Sequence, residues 1–561
     1  MQSTMQQIPL SVASILSYGA SVHGQTKITT WKNCTAEETT FSEVAGRAAA
    51  LAHALHDELG ITGDNRVASL MYNCAEHLET MFAVSCMGAV FTPLNKQLLV
   101  EQIQHIARDA EVEVIVADPR LHELLATVVA ECPAVRAVIF LGTDTPEVSL
   151  RAGIACYSYE AIIDARATND PWPVPDETEA AALCYSTGTG GQPKGVAFSH
   201  RSLYLTALTL LGTDSMAITN GESFLCCVPI YHVLSWSVPF AAFMAGTPLV
   251  LPDADVSAAT LADLIAATHP RVAHGVPTIW MQLLVHYMNH PPERMSLTEI
   301  FVGGSQAPPV LISLWEERYG VDVVHVWGMT ETSTVGTVSR PPSGASGEAR
   351  RTYRTSQGRF PASLDFRVVN DGEVVPATDR NQGEIQVRGN MVAAQYYRGA
   401  DSAPSGTEQL EVQFTPDGWL RTGDVGTVSA DGFLSIHDRA RDVIRSGGEW
   451  IYSALLENLV MDSPEVVEAA VIGYPDDKWG ERPLAVTVIH PEFPPTAQTA
   501  EAIRDRMREQ LPNWMLPEYW TFVDSIDKTS VGKFDKKDLR AHLAAGDFDV
   551  LALAGPGDAS D

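Results

Sequence analysis

The chain reads as a multi-domain α/β protein: a large N-terminal domain of α/β-layered subdomains plus a β-rich subdomain, followed by a small α+β C-terminal domain. Three observations predict this. Its 561 residues exceed what a single hydrophobic core supports at roughly 100–200 residues per domain. Segments of helical periodicity alternate with short β-branched runs. The composition also changes twice, near Arg340 and again near Arg441.

In chain order, apolar residues recur at three- and four-residue spacings from Phe41 to Gly60 and from Cys74 to Val90, which predicts helices. Val112 to Ala117 and Ala137 to Leu141 are short and β-branched, which predicts strands. The same alternation runs through Ala259 to His290, where a helix precedes the strand-like Arg271 to His274, and through Ile300 to Val326. After Arg340, Pro, Gly, Ser and Arg cluster as far as Arg359. Strand-like runs then dominate: Leu364 to Val369, Gly383 to Arg388 and Phe433 to Ile436. These place a β-rich subdomain at about 340–438 within an N-terminal domain 1–438. Beyond it, strands at Val467 to Ile472 and Leu484 to Ile489 and a helix at Thr499 to Leu511 define a C-terminal domain 439–544. The Gly-, Ala- and Asp-rich stretch 545–561 is expected to be a disordered tail. No internal repeat is visible.

Composition limits the function. Hydrophobic residues make up 45% and charged residues 19%, a globular balance that excludes a largely disordered chain. With 38 Lys and Arg against 69 Asp and Glu, the net charge of −31 repels nucleic acid and anionic membranes, although solubility alone would favour such an excess. The eight cysteines include no C-x-x-C pair, so neither a zinc site nor a disulfide framework is expected. No charged secretory start is present. The apolar stretch Val238 to Leu251 is too short for a membrane span and is broken by Gly246 and Pro248. A cytoplasmic protein with no integral membrane segment is the expectation.

Chemistry concentrates at Ser186-Thr187-Gly188-Thr189-Gly190-Gly191-Gln192-Pro193-Lys194-Gly195, between the strand-like Leu183-Cys184-Tyr185 and Val196-Ala197-Phe198. Glycines let backbone N–H groups approach a polyphosphate, hydroxyls add donors, and Lys194 supplies a compact positive charge. It differs from the usual P-loop, because Pro193 stands where that motif needs Gly and a strand rather than a helix follows. A flexible surface turn is the competing reading, but flexibility does not explain a Lys after Pro between buried strands.

The loop resembles the signature of the adenylate-forming (AMP-binding) superfamily, which includes acyl-CoA synthetases, luciferases and nonribosomal peptide adenylation domains. Four further motifs follow in the family's order. Trp327-Gly328-Met329-Thr330-Glu331-Thr332 is similar to its second nucleotide motif and Gly418-Trp419-Leu420-Arg421-Thr422-Gly423-Asp424 to its ribose motif. Asp438-Arg439-Ala440-Arg441-Asp442, with Ser446-Gly447-Gly448-Glu449, resembles the hinge motif, and Lys528-Thr529-Ser530-Val531-Gly532-Lys533 the C-terminal lysine motif. The resemblance implies ATP, Mg²⁺ and coenzyme A as reactants or cofactors, and a small C-terminal domain that rotates about a hinge.

It also implies site residues, each with a chemical reason. Ser186, Thr187, Gly188, Thr189, Gly190 and Lys194 would cradle the phosphates; Gly190 departs from the family's Thr, and a lost contact weakens binding by about 0.5–3 kcal/mol. Glu331 offers a hard oxygen to Mg²⁺, Thr330 a donor to the α-phosphate, and Trp327-Gly328-Met329 the adenine side. Gly303 and Gly304 with Ser305 and Gln306 would line the other adenine face. Asp424 suits the ribose hydroxyls, with Arg439 reaching ribose or phosphate. Lys533 is the catalytic cation for the charge that develops on the α-phosphate. The following Lys536 and Lys537 read as a basic exposed run. Arg441 takes the hinge position, where the family usually has Asp or Lys, and Gly447, Gly448 and Glu449 would face the CoA channel.

Pro229-Ile230-Tyr231-His232-Val233-Leu234-Ser235-Trp236 aligns with the motif beside the substrate carboxylate. Amino-acid-activating relatives carry an Asp here for the α-ammonium. With His232 in its place, a buried ammonium would lack a partner, so an amino acid is disfavoured. Tyr231, Trp236 and Val276, with Val238, Phe240, Trp280 and Met329 nearby, suit a hydrophobic acid, although they would equally serve a core. The wording of the motifs is similar to that of medium- and long-chain fatty acyl-CoA synthetases. An acyl-AMP ligase loading a carrier protein and a non-catalytic binding relative stay open as alternatives, as does the oligomeric state, a homodimer included.

Overall fold

The computed structural model describes residues 1–164, 166–168, 172–186, 192–399, 413–527, 534 and 536–553. Three sheets organise them. A seven-stranded sheet runs Ala155–Ser158, Ala137–Phe140, Val114–Ala117, Arg66–Leu70, Val90–Pro93, Ala180–Ser186 and Lys194–Ser199; every pair is parallel except the last. Its five inner strands are buried nearly throughout, as expected where helices cover both faces, while the edge strand Ala155–Ser158 is largely exposed.

A fourteen-stranded sheet begins as parallel strands around Phe224–Cys226, Val272–Gly275, Glu299–Val302 and Asp322–Trp327. It then continues without a break into antiparallel strands, because Val326 pairs with Val338 and Trp327 with Thr337. Gly358–Arg359, Phe433–Arg439, Leu420–Val428, Gly383–Arg388 and Asp365–Asn370 carry it on. The β-rich stretch therefore extends an α/β sheet, and the Trp327 motif sits at the change from parallel to antiparallel pairing.

Local sequence explains the helices. In Phe41–Asp57, Thr40 Oγ1 accepts from the Glu43 backbone N–H while the Glu43 carboxylate accepts from the Thr40 N–H, a reciprocal N-terminal cap. Val44, Ala48, Leu51 and Leu55 then form its buried face, and the Phe41 ring stacks on Phe243 at 3.9 Å. Val238, Phe240 and Trp280 are completely buried in these cores, so of the apolar residues suggested by sequence these three serve packing.

A six-stranded sheet closes the chain around the long hairpin Val466–Asp476 and Gly480–Ile489, with its own core of Ile451, Leu456, Val471, Ile503 and Trp520. The tail expected to fray beyond Ala545 is ordered for several residues more: Leu551–Ala552 pairs with Tyr519–Phe522, and Leu553 is buried. Apolar Leu551 and Leu553 anchor a polar stretch whose composition concealed them. Lys536 differs from expectation too. Its side chain is only 13% exposed, and its ammonium lies 2.7 Å from both Glu457 Oε1 and Ser453 Oγ, because the buried Glu457 carboxylate requires a partner.

Burial makes the fold acid-sensitive. His77, His200, His232, His274 and His325 are each held down at about 4 by burial, below the ordinary 6.5. Between those values the unfolded chain binds protons that the folded chain refuses, so this contribution to stability is lost as pH falls from 6.5 toward 4. Glu79, raised to about 7 by burial although Arg47 opposes the shift, and Glu457, also raised by burial, work in the opposite sense. The five histidines outweigh these two carboxyls, and thermal unfolding scans should show Tm falling steadily over this window; a flat Tm from pH 7 to 4.5 would contradict the assignment.

Candidate functional site

Several of the predicted site residues lie just past the carboxyl ends of the parallel strands, where open α/β sheets hold ligands. Tyr231 and His232 follow Phe224–Cys226, Val276 follows Val272–Gly275, Gly303 and Gly304 follow Glu299–Val302, and Gly328 follows Asp322–Trp327. In the other sheet, Ser186 pairs with Lys194, the two described residues that flank the expected phosphate loop. Thr187, Gly188, Thr189 and Gly190 lie outside the described residues, as does Lys533.

On the phosphate side, Lys194 Nζ stands 4.8 Å over the Tyr396 ring, and the Tyr396 hydroxyl donates 2.6 Å to Glu331 Oε1. Burial lowers the Lys194 ammonium from its ordinary range, with Glu331 opposing, and burial pushes the Tyr396 hydroxyl up. Glu331 itself is 5% exposed, in the short helical turn Thr330–Thr332, and its carbonyl accepts from Ala393 N at 2.8 Å. Tyr396 is thus a candidate site residue that sequence reasoning missed; in the mostly apolar run Met391 to Tyr397 it reads as core. Gly195 is closely packed nearby, because a Cβ there would stand 3.1 Å from both the Tyr185 ring and Tyr397 Cβ, and these neighbours would have to yield by a few tenths of an ångström. Glu331 Oε1 is engaged by Tyr396, which leaves Oε2 outside that bond, so the donor set fits a single-carboxylate Mg²⁺ contact of the kind that retains most of its waters.

On the nucleoside side, three predicted residues meet. Trp327 Nε1 donates to Asp424 Oδ2 at 2.8 Å, and Arg439 Nη1 lies 2.9 Å from Asp424 Oδ1. Asp424 and Arg439 face each other across antiparallel strands, which sets that ion pair. One face of the Trp327 indole is closely covered, since a Cβ on Gly336 would be 2.6 Å from the ring. Gly328 has no room for a side chain at all: its Cβ would fall 1.5 Å from the Thr334 carbonyl oxygen. Ser333 and Thr334 carry the turn with φ of 51° and 84°. Met329 is partly buried beside the antiparallel core. Ser305 and Gln306 are exposed.

Gly303 and Gly304 join the nucleoside side to the acid side. A Cβ on Gly303 would press on both the Val326 carbonyl and the Trp236 ring, and one on Gly304 would lie 3.3 Å from Val276 Cγ1. Between them runs an unusual segment: Val233, Leu234, Ser235, Trp236 and Ser237 all have positive φ, between 30° and 59°. None is glycine, and each such residue costs roughly 1–2 kcal/mol. His232 opens this turn, half-buried, its ring 4.9 Å from Tyr231. Burial, with a smaller push from the Lys96 ammonium, keeps its imidazole at about 4 and therefore neutral at physiological pH. Lys96 Nζ sits 4.5 Å over the Tyr72 ring and 5.5 Å over that of Tyr231. Sequence reasoning did not single out this cation.

At the C-terminal end, Arg441 leads into Asp442, whose carboxylate takes Arg540 Nη2 at 2.6 Å, while the Arg441 carbonyl accepts from the same guanidinium. Asp438 Oδ2 accepts from both the backbone and hydroxyl of Ser453 at 2.6 Å. Gly447 and Gly448 have φ of 60° and 88°, with Gly447 against the Trp479 ring, and Glu449 is exposed in the following strand. Among the described residues, no cluster of three or more His, Cys, Asp or Glu could hold a metal ion, and no helix is long and apolar enough to cross a membrane.

The geometry has counterparts in known proteins. A family described as AMP-binding enzyme matches residues 20–397, and the AMP-binding enzyme C-terminal domain matches 455–533. The medium-chain-fatty-acid–CoA ligase of Ectopseudomonas oleovorans is 35% identical over 547 residues, covering 96% of this chain and 97% of that protein. The 3-methylmercaptopropionyl-CoA ligase of Ruegeria lacuscaerulensis is 34% identical over 546 residues, covering 96% and 98%. Among solved structures, the anthranilate CoA ligase AuaEII in complex with anthranoyl-AMP matches with a TM-score of 0.81 at 24% identity, covering 97% of this chain and 100% of that one, a likeness of fold.

Proposed function

Because the chain belongs to the AMP-binding enzyme family and is an ATP-dependent, adenylate-forming acid–CoA ligase, we propose that its acid is hydrophobic, a medium- or long-chain fatty acid. A carboxylate oxygen attacks the α-phosphorus of ATP, the bond to the bridging oxygen breaks, and pyrophosphate leaves. The CoA sulfur then attacks the acyl carbonyl, its proton is lost to solvent, and AMP departs with the anhydride oxygen.

In this reading Lys194 and the phosphate loop, Ser186 through Gly190, hold the polyphosphate, and Thr330 donates to the α-phosphate. Mg²⁺, taken by Glu331, offsets phosphate charge when bound. Asp424, held by Trp327 and Arg439, grips the ribose, and the Gly304-Ser305-Gln306 backbone with Gly328 and Met329 borders the adenine. Lys533 supplies the ammonium for the transition state. Arg441 is the hinge, and Gly447, Gly448 and Glu449 border the CoA channel. The absence of any disulfide among the eight cysteines of the described residues supports a reducing, cytoplasmic setting.

The observation that carries the choice of acid is the Lys96 ammonium, 5.5 Å over the Tyr231 ring whose other neighbour is His232 at 4.9 Å. An amino acid's α-ammonium would meet a like charge there instead of a carboxylate, whereas the exposed Val276, backed by the buried rings of Tyr231 and Trp236, is apolar and would suit a hydrocarbon tail. A panel of acetate, benzoate, 3-methylmercaptopropionate and straight-chain fatty acids tests this, with pyrophosphate release and CoA consumption measured for each. The specificity constant should rise by up to about fourfold for each methylene buried until the pocket is filled. A maximum at acetate or benzoate would overturn the choice of acid, and pyrophosphate release without CoA consumption would indicate a carrier-protein acceptor.

A further inference from the structure

The left-handed run 233–237 makes local backbone bonds, Trp236 N to His232 O at 3.3 Å and Ser237 N to Leu234 O at 3.2 Å, but the segment that leads into it is held by a residue far away in sequence. Asn73, 5% exposed and just past the strand Arg66–Leu70, reaches across from the seven-stranded sheet. Its Nδ2 donates to the carbonyls of Cys226 at 3.1 Å and Val228 at 2.8 Å, and its Oδ1 accepts from Ile230 N at 3.1 Å. All three side-chain bonds fall on the segment that leads into Tyr231 and His232. Asn73 is itself fixed from behind: its carbonyl accepts from Asp253 N at 3.0 Å, and the Asp253 carboxylate takes both terminal nitrogens of Arg120 at 2.6 and 2.8 Å. The far side of the segment is tied by Ser235, whose hydroxyl donates to Val228 O at 2.9 Å and whose carbonyl lies 3.2 Å from His274 Nε2.

We infer that Asn73 is a positioning residue for acid binding: by clamping residues 226–230 it holds the strained turn 232–237 in the register that presents Tyr231, His232 and Trp236. The inference rests on reading 228–237 as the acid-binding loop. Chemistry selects asparagine for this role. One side chain must donate twice and accept once in a buried place, which neither aspartate, an acceptor alone when ionised, nor a hydrophobic residue can do. The strain in the turn gives the clamp its importance, because a turn in a disfavoured conformation relaxes when one anchor is removed.

The test compares Asn73→Ala, Asn73→Ser and Ser235→Ala with the wild type, assayed well below each variant's Tm by pyrophosphate release. For Asn73→Ala, KM for the acid should rise by about tenfold or more with KM for ATP changed less than about twofold; Asn73→Ser, which restores one polar group, should fall between. Ser235→Ala should show the same pattern more weakly, and it decides the matter if the Asn73 variants do not fold. A lowered Tm with both KM values unchanged, or raised in equal proportion, would reduce Asn73 to a packing role and overturn the inference. His232→Ala and Trp236→Ala separate the two layers. If they raise acid KM and the clamp variants do not, the clamp fails and the acid-loop reading stands. If neither moves acid KM, the loop reading itself fails.

Discussion

Replacing Lys533 by Ala is expected to lower the rate of adenylate formation by roughly 10²–10³-fold while leaving thioester formation from supplied acyl-adenylate and CoA within about twofold. The argument is electrostatic. Attack on the α-phosphate builds negative charge before pyrophosphate has left, and a preplaced ammonium stabilises that charge without reorganising solvent. Thiol attack on the finished adenylate builds charge on the acyl carbonyl oxygen instead and expels AMP, so the same ammonium is not called upon. The surroundings of Lys536 sharpen the choice between neighbouring lysines. Its ammonium is engaged by Glu457 and Ser453, so Lys536→Ala should lower Tm by stranding a buried carboxylate rather than separate the half-reactions. Pyrophosphate release and thioester formation from synthetic adenylate, measured in parallel, provide the check; equal loss of both in Lys533→Ala would remove the lysine from this role.

The motifs that were legible share a physical origin: each is a short stretch whose backbone must do something that few residues allow. Gly328 has a carbonyl oxygen where its Cβ would be, and a Cβ on Gly195 would crowd two tyrosines at 3.1 Å, so both glycines sit in close surroundings. Asp424, Trp327 and Arg439 were each readable from their own motifs, but their convergence on one carboxylate was not. Tyr396, Lys96 and Asn73 left no trace, since each is a single ordinary residue acting on a partner far along the chain. Asn73, for one, bonds a carbonyl 155 residues away. The left-handed turn was hidden for the opposite reason. Val233-Leu234-Ser235-Trp236-Ser237 contains no glycine, and its conformation is imposed by anchors rather than chosen by its residues. The continuity of the fourteen-stranded sheet was equally invisible, because it depends on one short antiparallel pairing, Val326 with Val338.

Glu331→Gln is the second large expectation, about 10²-fold or more in adenylate formation, and the geometry separates its effect on chemistry from its effect on folding. The carboxylate is nearly enclosed, with Tyr396 bonded to one oxygen and Lys194 close enough to feel its charge. Gln keeps an acceptor for the Tyr396 hydroxyl and removes a buried charge, so the free protein should unfold within a few degrees of wild type. The losses should appear with nucleotide instead. The rise in Tm that MgATP produces should shrink, and the Mg²⁺ concentration giving half-maximal pyrophosphate release should increase. Tyr396→Phe provides the graded comparison. It leaves the carboxylate in place but takes away its hydroxyl partner, so its effect should be about tenfold, with the Mg²⁺ requirement little changed. Were Glu331→Gln to bind MgATP with an undiminished Tm shift, the carboxylate would be a structural acceptor for Tyr396 and the metal contact would have to be sought elsewhere. If Tyr396→Phe instead matched Glu331→Gln in its Mg²⁺ requirement, the tyrosine would be what aims the carboxylate, and the Lys194–Tyr396–Glu331 group would act as one unit on the polyphosphate.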